Sequence, residues 1–160
     1  MEVLHVQDPS QMAELNQLLP DQAFRLSWLR YDPDRRCLSL PVGIAQPPEE
    51  RPRWWQVFWR EDLPLIEHEF EFRNVRSYSV NDPSNVEQYT FGWAKYHESA
   101  GLLTLESNEG LIISMEIDSL DIIVTDRCRE IGMRATSRVL WCYFSRDTLL
   151  DRDDEQESSD

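Results

Sequence analysis

The chain has 160 residues, is 41% hydrophobic and 11% aromatic, and carries a formal net charge of −14. Its length and hydrophobic content argue against a disordered chain and predict a single domain over residues 1–150 with an ordinary core. Because Lys and Arg are sparse and scattered, nucleic acid and membrane surfaces are not expected partners. A basic protein partner is compatible with the acidic balance, as is the simpler interpretation that the charge confers solubility.

The beginning of the chain and the cysteines indicate a cytoplasmic protein. The first six residues lack the basic start and apolar core of a secretory signal. No window approaches the ~18 uninterrupted apolar residues of a membrane helix. Cys37, Cys128 and Cys142 are odd in number and widely spaced, so they indicate neither a disulfide framework nor a metal site. We therefore expect reduced thiols.

A short helix is predicted near the N-terminus. Asp8 is a good N-cap, Pro9 suits the first helical position, and Pro20 ends the segment. Its apolar residues share one face, which we expect to lie against a sheet: Met12, Leu15, Leu18 and Leu19.

A first β unit follows over residues 24–80. Phe24, Leu26 and Trp28 alternate as in a half-buried strand. The segment Asp32-Pro33-Asp34-Arg35 predicts a type I turn between two strands, with Pro at its second position. We expect an antiparallel hairpin here.

A segment of about residues 45–64 interrupts this unit. Pro47, Pro48 and Pro52 exclude a central strand and predict an extended surface loop. An aromatic cluster comes next, formed by Trp54, Trp55, Phe58 and Trp59. It is compatible with a strand inside the core or a plug over an open sheet end, the interpretation we favour. It is also compatible with an exposed binding patch, since Trp is a typical interface anchor.

A row of carboxylates is predicted on the next strand. Glu67, Glu69 and Glu71 alternate with His68, Phe70 and Phe72, so the carboxylates lie ~7 Å apart on one face and the apolar side chains on the other. We expect a solvated acidic face, with His68 hydrogen-bonded on the apolar side. A divalent cation site would need further ligands, and Glu116 and Asp118 in a later strand are the candidates.

The second β unit, residues 89–125, is a predicted antiparallel meander. Tyr89, Phe91 and Trp93 alternate with small residues, and turn-forming stretches separate the strands that follow. Trp28 and Trp93 match at an offset of 93 − 28 = 65, and Phe70 and Met115 at 115 − 70 = 45. The two units are therefore interpreted as a duplication, with the loop of residues 81–85 as its boundary.

Two predictions concern the C-terminal region. Residues 139–144 are apolar on both strand faces and aromatic, which favours a buried strand with Cys142 as a buried thiol. Residues 151–160 are acidic and nearly devoid of apolar side chains, so we expect a disordered tail.

No recognisable catalytic motif is present. The chain has no Gly-rich phosphate loop, dinucleotide fingerprint, G-x-S-x-G or H-E-x-x-H. No cofactor is expected, and an enzyme is disfavoured but still possible if its residues meet only in space.

The sequence predicts a mainly β fold, at the margin of α+β. Two duplicated meander units would form a sandwich or partly open barrel, with a short N-terminal helix outside. In shape alone, such a duplicated, acidic β domain resembles small cytoplasmic domains of unknown function, including some bacterial immunity proteins, and an immunity- or inhibitor-like role would be compatible with that resemblance.

Two functional hypotheses follow from these predictions. The first is a non-enzymatic protein-binding or assembly module, which engages a basic partner or a second copy through the aromatic cluster and the Glu67, Glu69 and Glu71 face. The alternative is a small-ligand or metal site, catalytic or not, in a cleft between the two units. Its polar groups would be Glu69, Glu71, Glu116 and Asp118.

Overall fold

The computed structural model describes residues 1–47 and 53–151. It is mostly antiparallel β, with 60% strand and 11% helix, and this confirms the predicted mainly β class with a short N-terminal helix. The helix α1 spans Met12–Leu18. The strands are β1 (Glu2–Val6), β2 (Ala23–Phe24), β3 (Arg30–Asp32), β4 (Cys37–Ala45), β5 (Phe58–Phe72), β6 (Val75–Asn81), β7 (Tyr89–His97), β8 (Leu102–Ser107), β9 (Ile112–Ile117), β10 (Ile122–Val139) and β11 (Cys142–Leu149).

The strands form one sheet that does not close on itself. Its order is β1-β10-β5-β4-β2-β7-β8-β9-β6, with β11 added to β10 and β3 added to β4. The sheet therefore begins at β1 and ends at β6, and the long strands β5 and β10 lie side by side near one end. No helix in the described part of the chain is long and apolar enough to cross a membrane.

Much of the core lies on the face of β4 and β5 that carries Leu38, Leu40, Phe70 and Phe72, whereas Leu65, also fully buried, lies on the opposite face of β5. Alternate residues of β4 and β5 line the first of these faces, because successive side chains of a strand point to opposite faces. Phe24 and Phe91 stack there with ring centroids 4.3 Å apart. Helix α1 packs on the same side through Met12 and Leu15, as its apolar face predicted.

The predicted helix start is confirmed. The Asp8 carboxylate accepts a hydrogen bond from the backbone N–H of Ser10 at 2.8 Å, and Pro9–Gln11 forms a 3-10 turn that leads into α1. The side chain of Gln11 accepts a hydrogen bond from the Asp8 N–H in return, which completes a capping box.

The predicted duplication is not confirmed. Two meanders exist, β3-β4-β5 and β7-β8-β9, but the lengths of their strands and the elements that precede them differ. Leu26–Trp28 forms a 3-10 turn where a strand was predicted. Residues 58–64, expected in an insertion, instead begin β5, which has 15 residues where β9 has six. Pro48 and Pro52 of the predicted loop lie outside the described residues, as does the predicted tail beyond Asp151.

The second meander agrees with its prediction up to Ile117. The segment after it does not, because Ile122 begins an 18-residue strand and not a short closing one. This strand, β10, pairs with β1, β5 and β11 at the other end of the sheet.

Beyond the core, β5, β10 and β11 continue as a three-stranded arm. Strand β4 pairs with β5 only from Leu65 onwards, so the preceding part of β5 has β10 as its described neighbour. At the base of the arm, Arg134 Nε donates to Asp147 Oδ1 at 2.7 Å, and Arg134 Nη2 donates to the Asp21 carbonyl at 2.6 Å. These contacts fix the arm to the rest of the fold.

The prediction of a buried strand over residues 139–144 is wrong. Val139 ends β10, Leu140 and Trp141 form a two-residue turn, and Cys142 begins β11. Leu140, Trp141, Tyr143 and Phe144 are exposed, as is the thiol-bearing Cys142. Within the described residues, no further layer covers this apolar run at the hairpin end, although its composition is that of a core strand.

Candidate interaction surface

Eight large apolar side chains are exposed together at the end of the arm. Trp54 is 81% exposed and Trp141 is 74% exposed, the largest values among them. We call this cluster the aromatic tip: Trp54, Trp55, Phe58, Val139, Leu140, Trp141, Tyr143 and Phe144. Three of the four aromatic residues singled out in the sequence therefore belong to it, and the favoured interpretation of them as core is wrong.

Strand register brings the two halves of the tip together. Phe58 lies opposite Val139, and Trp59 lies opposite Arg138. Arg138 in turn lies opposite Tyr143 on β11. Residues directly opposite each other share a face, so Trp59, Arg138 and Tyr143 lie on one face of the arm, which we call the inner face. Phe58, Val139 and Phe144 then lie on the outer face.

Arg138 holds the inner face of the tip together. It is 8% exposed, and its Nε donates to the Leu140 carbonyl at 3.1 Å, while Nη1 donates to the Arg53 carbonyl at 3.3 Å. Its guanidinium lies 5.8 Å from the Trp141 ring centroid and 5.5 Å from that of Tyr143. The cation is thus stabilised by carbonyl dipoles and aromatic faces.

The tip is locally cationic. Residues 53–60 and 137–146 contain Arg53, Arg60, Arg138 and Arg146 and no Asp or Glu, in a chain with 30 acidic residues. The remaining residues carry −14 − 4 = −18. The protein therefore separates a small apolar, positively charged end from a strongly acidic remainder.

The turn at the tip contains a residue in an unfavourable conformation. Leu140 has φ of 57°, and two-residue hairpin turns with positive φ favour Gly or Asn. A left-handed conformation costs an L-residue with a Cβ about 1–2 kcal/mol. A large exposed apolar side chain thus occupies a position where glycine would be more stable, which is a feature of functional sites.

A shallow groove of about 270 Å³ runs across the outer face of the arm. Ala135 and Ser137 of β10 form its floor, with Arg60 on one flank and Phe144 and Arg146 on the other. It combines two guanidinium groups with an aromatic ring, which is chemistry suited to a carboxylate beside an apolar group.

The carboxylate row lies on one face of β5, at the core end of the strand, but the expectation that this face is solvated is wrong, because Glu67 is buried and Glu69 and Glu71 are largely covered. Glu67 is 4% exposed and accepts from Arg129 Nε at 2.8 Å. Glu69 pairs with Arg127, and Glu71 pairs with Arg73 at 3.2 Å. Each carboxylate of the row therefore contacts an arginine of the chain itself.

A bulge in β10 brings two of these arginines to the row. The register between β5 and β10 shifts after Asp126, and Cys128 in the bulge has φ of 53°. The Cys128 N–H donates to the Asp126 carboxylate at 2.7 Å, and this hydrogen bond is the main cause that lowers the Asp126 pKa. Arg127 and Arg129 flank Cys128. The sequence did not predict that these arginines would compensate the negative charge of the carboxylate row.

The residues of the metal hypothesis do not converge. Asp118 pairs with Arg36 and Arg76, and Glu116 accepts from the Ser77 hydroxyl at 3.1 Å. Among the described residues, no three His, Cys, Asp or Glu side chains form a group that could hold a metal ion. Glu69 and Glu71 instead line an open cleft of about 410 Å³ with Arg30, Arg35 and Tyr31, on β3, β4 and β5 and not between two units.

The sequence pointed to half of the tip and missed the other half. Residues 139–144 were assigned to the core because strand periodicity cannot distinguish a two-sided buried strand from an exposed hairpin end. The absence of acidic residues does not distinguish these segments either, because residues 22–31 and 35–48 are also free of Asp and Glu and contain buried core residues. Comparison of the chain with protein-family models, with curated proteins and with solved structures gave no match.

Proposed function

We propose that this protein is a non-enzymatic, cytoplasmic protein-binding module and that the aromatic tip is its binding surface. The observation that supports this most is the exposure of eight large apolar side chains around the buried Arg138. Contiguous exposed apolar patches are uncommon on monomeric proteins and mark interaction sites. Trp and Tyr make up four of the eight residues of this patch, and they are, with Arg, the residue types enriched among binding hot spots.

The energetics favour a partner that covers the tip. Burial of one large apolar side chain contributes about 1.5–3 kcal/mol. The tip is already ordered by strand pairing and by Arg138, so that less conformational entropy is lost on association. The carboxylate row is a weaker candidate surface, because its charge is compensated by arginines of the same chain. Engagement of a basic partner by that row stays a prediction.

The proposal is tested by capture with matched variants. Wild-type protein, a Phe58→Ser/Trp141→Ser double variant and a Trp93→Ser control are immobilised, and proteins bound from native lysate are quantified by mass spectrometry. Trp93 is an exposed tryptophan on β7, outside the tip. We expect a partner retained by wild type and control and reduced at least about tenfold by the double variant. The same bound proteins with all three would contradict the proposal.

The second candidate function is small-ligand or metal binding in the cleft on β3, β4 and β5. Its support is that Glu69 and Glu71 lie there together with Arg30 and Arg35. Calorimetric titration with calcium, magnesium, manganese and zinc tests the metal version. Heat that is lost in a Glu69→Gln/Glu71→Gln variant would support it, and no heat with any of the four ions would remove it.

A further inference from the structure

We infer that the partner of the aromatic tip presents an acidic segment, whose carboxylate is bound between Arg60 and Arg146 on the outer face of the arm. This inference rests on the proposed function and adds the chemistry of the partner. It differs from the sequence-based expectation of a basic partner, which was drawn from the net charge of the whole chain.

The strand register places the two arginines on the same face. Arg60 lies opposite Ser137, which lies opposite Phe144. In the adjacent row, Ala135 lies between Asp62 of β5 and Arg146 of β11, so one carboxylate of the chain also lies on this face. Neighbouring strands are ~4.8 Å apart, so the outer strands β5 and β11 are separated by about 10 Å across β10. Small side chains on β10 leave a groove of that width, in which a carboxylate can reach both guanidinium groups.

Both charges are available to a ligand. Arg60 contacts Asp62 at 3.7 Å, with the two side chains 74% and 43% exposed, and such a surface pair contributes little. Within the described part of the chain, Arg146 has no carboxylate partner. Arg138 and Arg134 on the other face are already engaged by carbonyls and by Asp147. A partner carboxylate would therefore form new charge-assisted hydrogen bonds on the outer face.

The charge distribution disfavours the other occupants. A second copy packed through the same face would bring Arg60 and Arg146 of both molecules together, and like charges at an interface oppose association. A nucleic acid or an anionic bilayer is an extended array of negative charge, which the −18 of the remaining chain would repel. A short acidic protein segment contacts the tip alone.

Two charge reversals test the contacts. Arg60→Glu and Arg146→Glu are compared in the capture experiment with Arg76→Glu, whose arginine is also an exposed residue paired with an aspartate. We expect Arg60→Glu and Arg146→Glu each to retain at least about fivefold less partner than wild type. Partner retained by Arg76→Glu should stay within about twofold of wild type. If Arg60→Glu and Arg146→Glu retain as much partner as wild type, the inference is overturned. Loss of the partner in Phe58→Ser/Trp141→Ser would still uphold the proposed function.

The identity of the bound segment is tested by photocrosslinking. The full chain with p-benzoylphenylalanine in place of Phe144, which flanks the groove, is irradiated in lysate, and crosslinked peptides are sequenced. Peptides of net negative charge from another protein support the inference. Neutral or basic peptides, peptides of this chain, or no crosslink overturn it. Binding to phosphatidylserine vesicles or to an oligothymidylate that is lost in Arg146→Glu also overturns it, since the arginines would then serve a phosphate.

Discussion

Arg134 and Arg138 lie on the same face of β10, one turned towards a carboxylate and the other towards aromatic rings. Arg134 makes two hydrogen bonds to Asp147, and these raise its pKa above the usual value, with desolvation opposing them. Arg138 lies four residues further along β10, nearer the tip. It contacts backbone carbonyls and the rings of Trp141 and Tyr143. Arg134 therefore connects the arm to the fold, and Arg138 organises its end.

Replacement of Arg134 is expected to destabilise the protein. In Arg134→Ala the Asp147 carboxylate, whose side chain is 7% exposed, loses its partner, and breaking a buried pair costs about 3 kcal/mol. Urea denaturation followed by tryptophan fluorescence measures this change. Arg60→Ala, at an exposed ion pair, should change the free energy of unfolding by no more than about 0.5 kcal/mol. Equal effects of the two variants would contradict the structural role of Arg134.

Asp82 and Tyr89 form a second polar contact with a measurable consequence. The Tyr89 hydroxyl donates to Asp82 Oδ2 at 2.5 Å, and this bond is the main cause that lowers the Asp82 pKa from 3.8. Because the folded-state pKa lies below the unfolded value, the stabilisation is fully present above pH 3.8 and is lost as the pH falls through the folded-state pKa. In Tyr89→Phe, the free energy of unfolding should thus fall less between pH 6 and about pH 2.5 than in wild type. Urea melts across that range measure the difference, and parallel curves would contradict the assignment.

At the scale of elements, the arm is an extension of two core strands. Leu63, Leu65, Ile131 and Leu149 are buried at its base, whereas the tip beyond them is exposed on its outer face. The same strands thus contribute to the core at one end and to a surface at the other. Continuous strand pairing orders the tip without a core of its own.

The turn residue Leu140 should show a conflict between stability and binding. Leu140→Gly removes the strain of the positive φ and should increase the free energy of unfolding by up to about 1 kcal/mol. The same variant removes an apolar side chain from the tip and should weaken partner capture. Thermal denaturation and the capture experiment measure the two effects on one variant. Lower stability, or unchanged capture, would count against the role given to Leu140.

At the scale of the whole molecule, stability and binding are assigned to different regions. The core of β4, β7 and the second half of β5 is buried around Phe70, Phe72 and Phe91. The arm end has strand pairing but little buried apolar area. The charge follows a similar division, because residues 53–60 and 137–146 at the end of the arm carry +4 and the remaining residues carry −18.

Hydrogen exchange should reveal this division. We expect the amides of Leu38, Ser39, Leu40 and Val42 in β4 to be protected at least about tenfold more than those of β11 from Cys142 to Arg146, because the latter lie on a largely exposed strand that pairs with β10. Exchange measured by mass spectrometry on the isolated protein tests this. Partner bound to the tip should then protect the β11 amides selectively. Uniform protection along β4 and β11 would contradict this division.

The sequence by itself determined the local features of this protein. The cap at Asp8, the turn after Asp32, the meander from Tyr89 to Ile117 and the alternation of Glu67–Phe72 all depend on side chains close along the chain, and the structure has each of them. Only the tertiary structure decided which apolar segments are covered. Trp54–Trp59 and residues 139–144 have core composition, yet they meet at the end of the arm, where Phe58 lies opposite Val139 and most of their large side chains are exposed. Burial depends on long-range strand pairing, and so does the compensation of the glutamate row by Arg127 and Arg129.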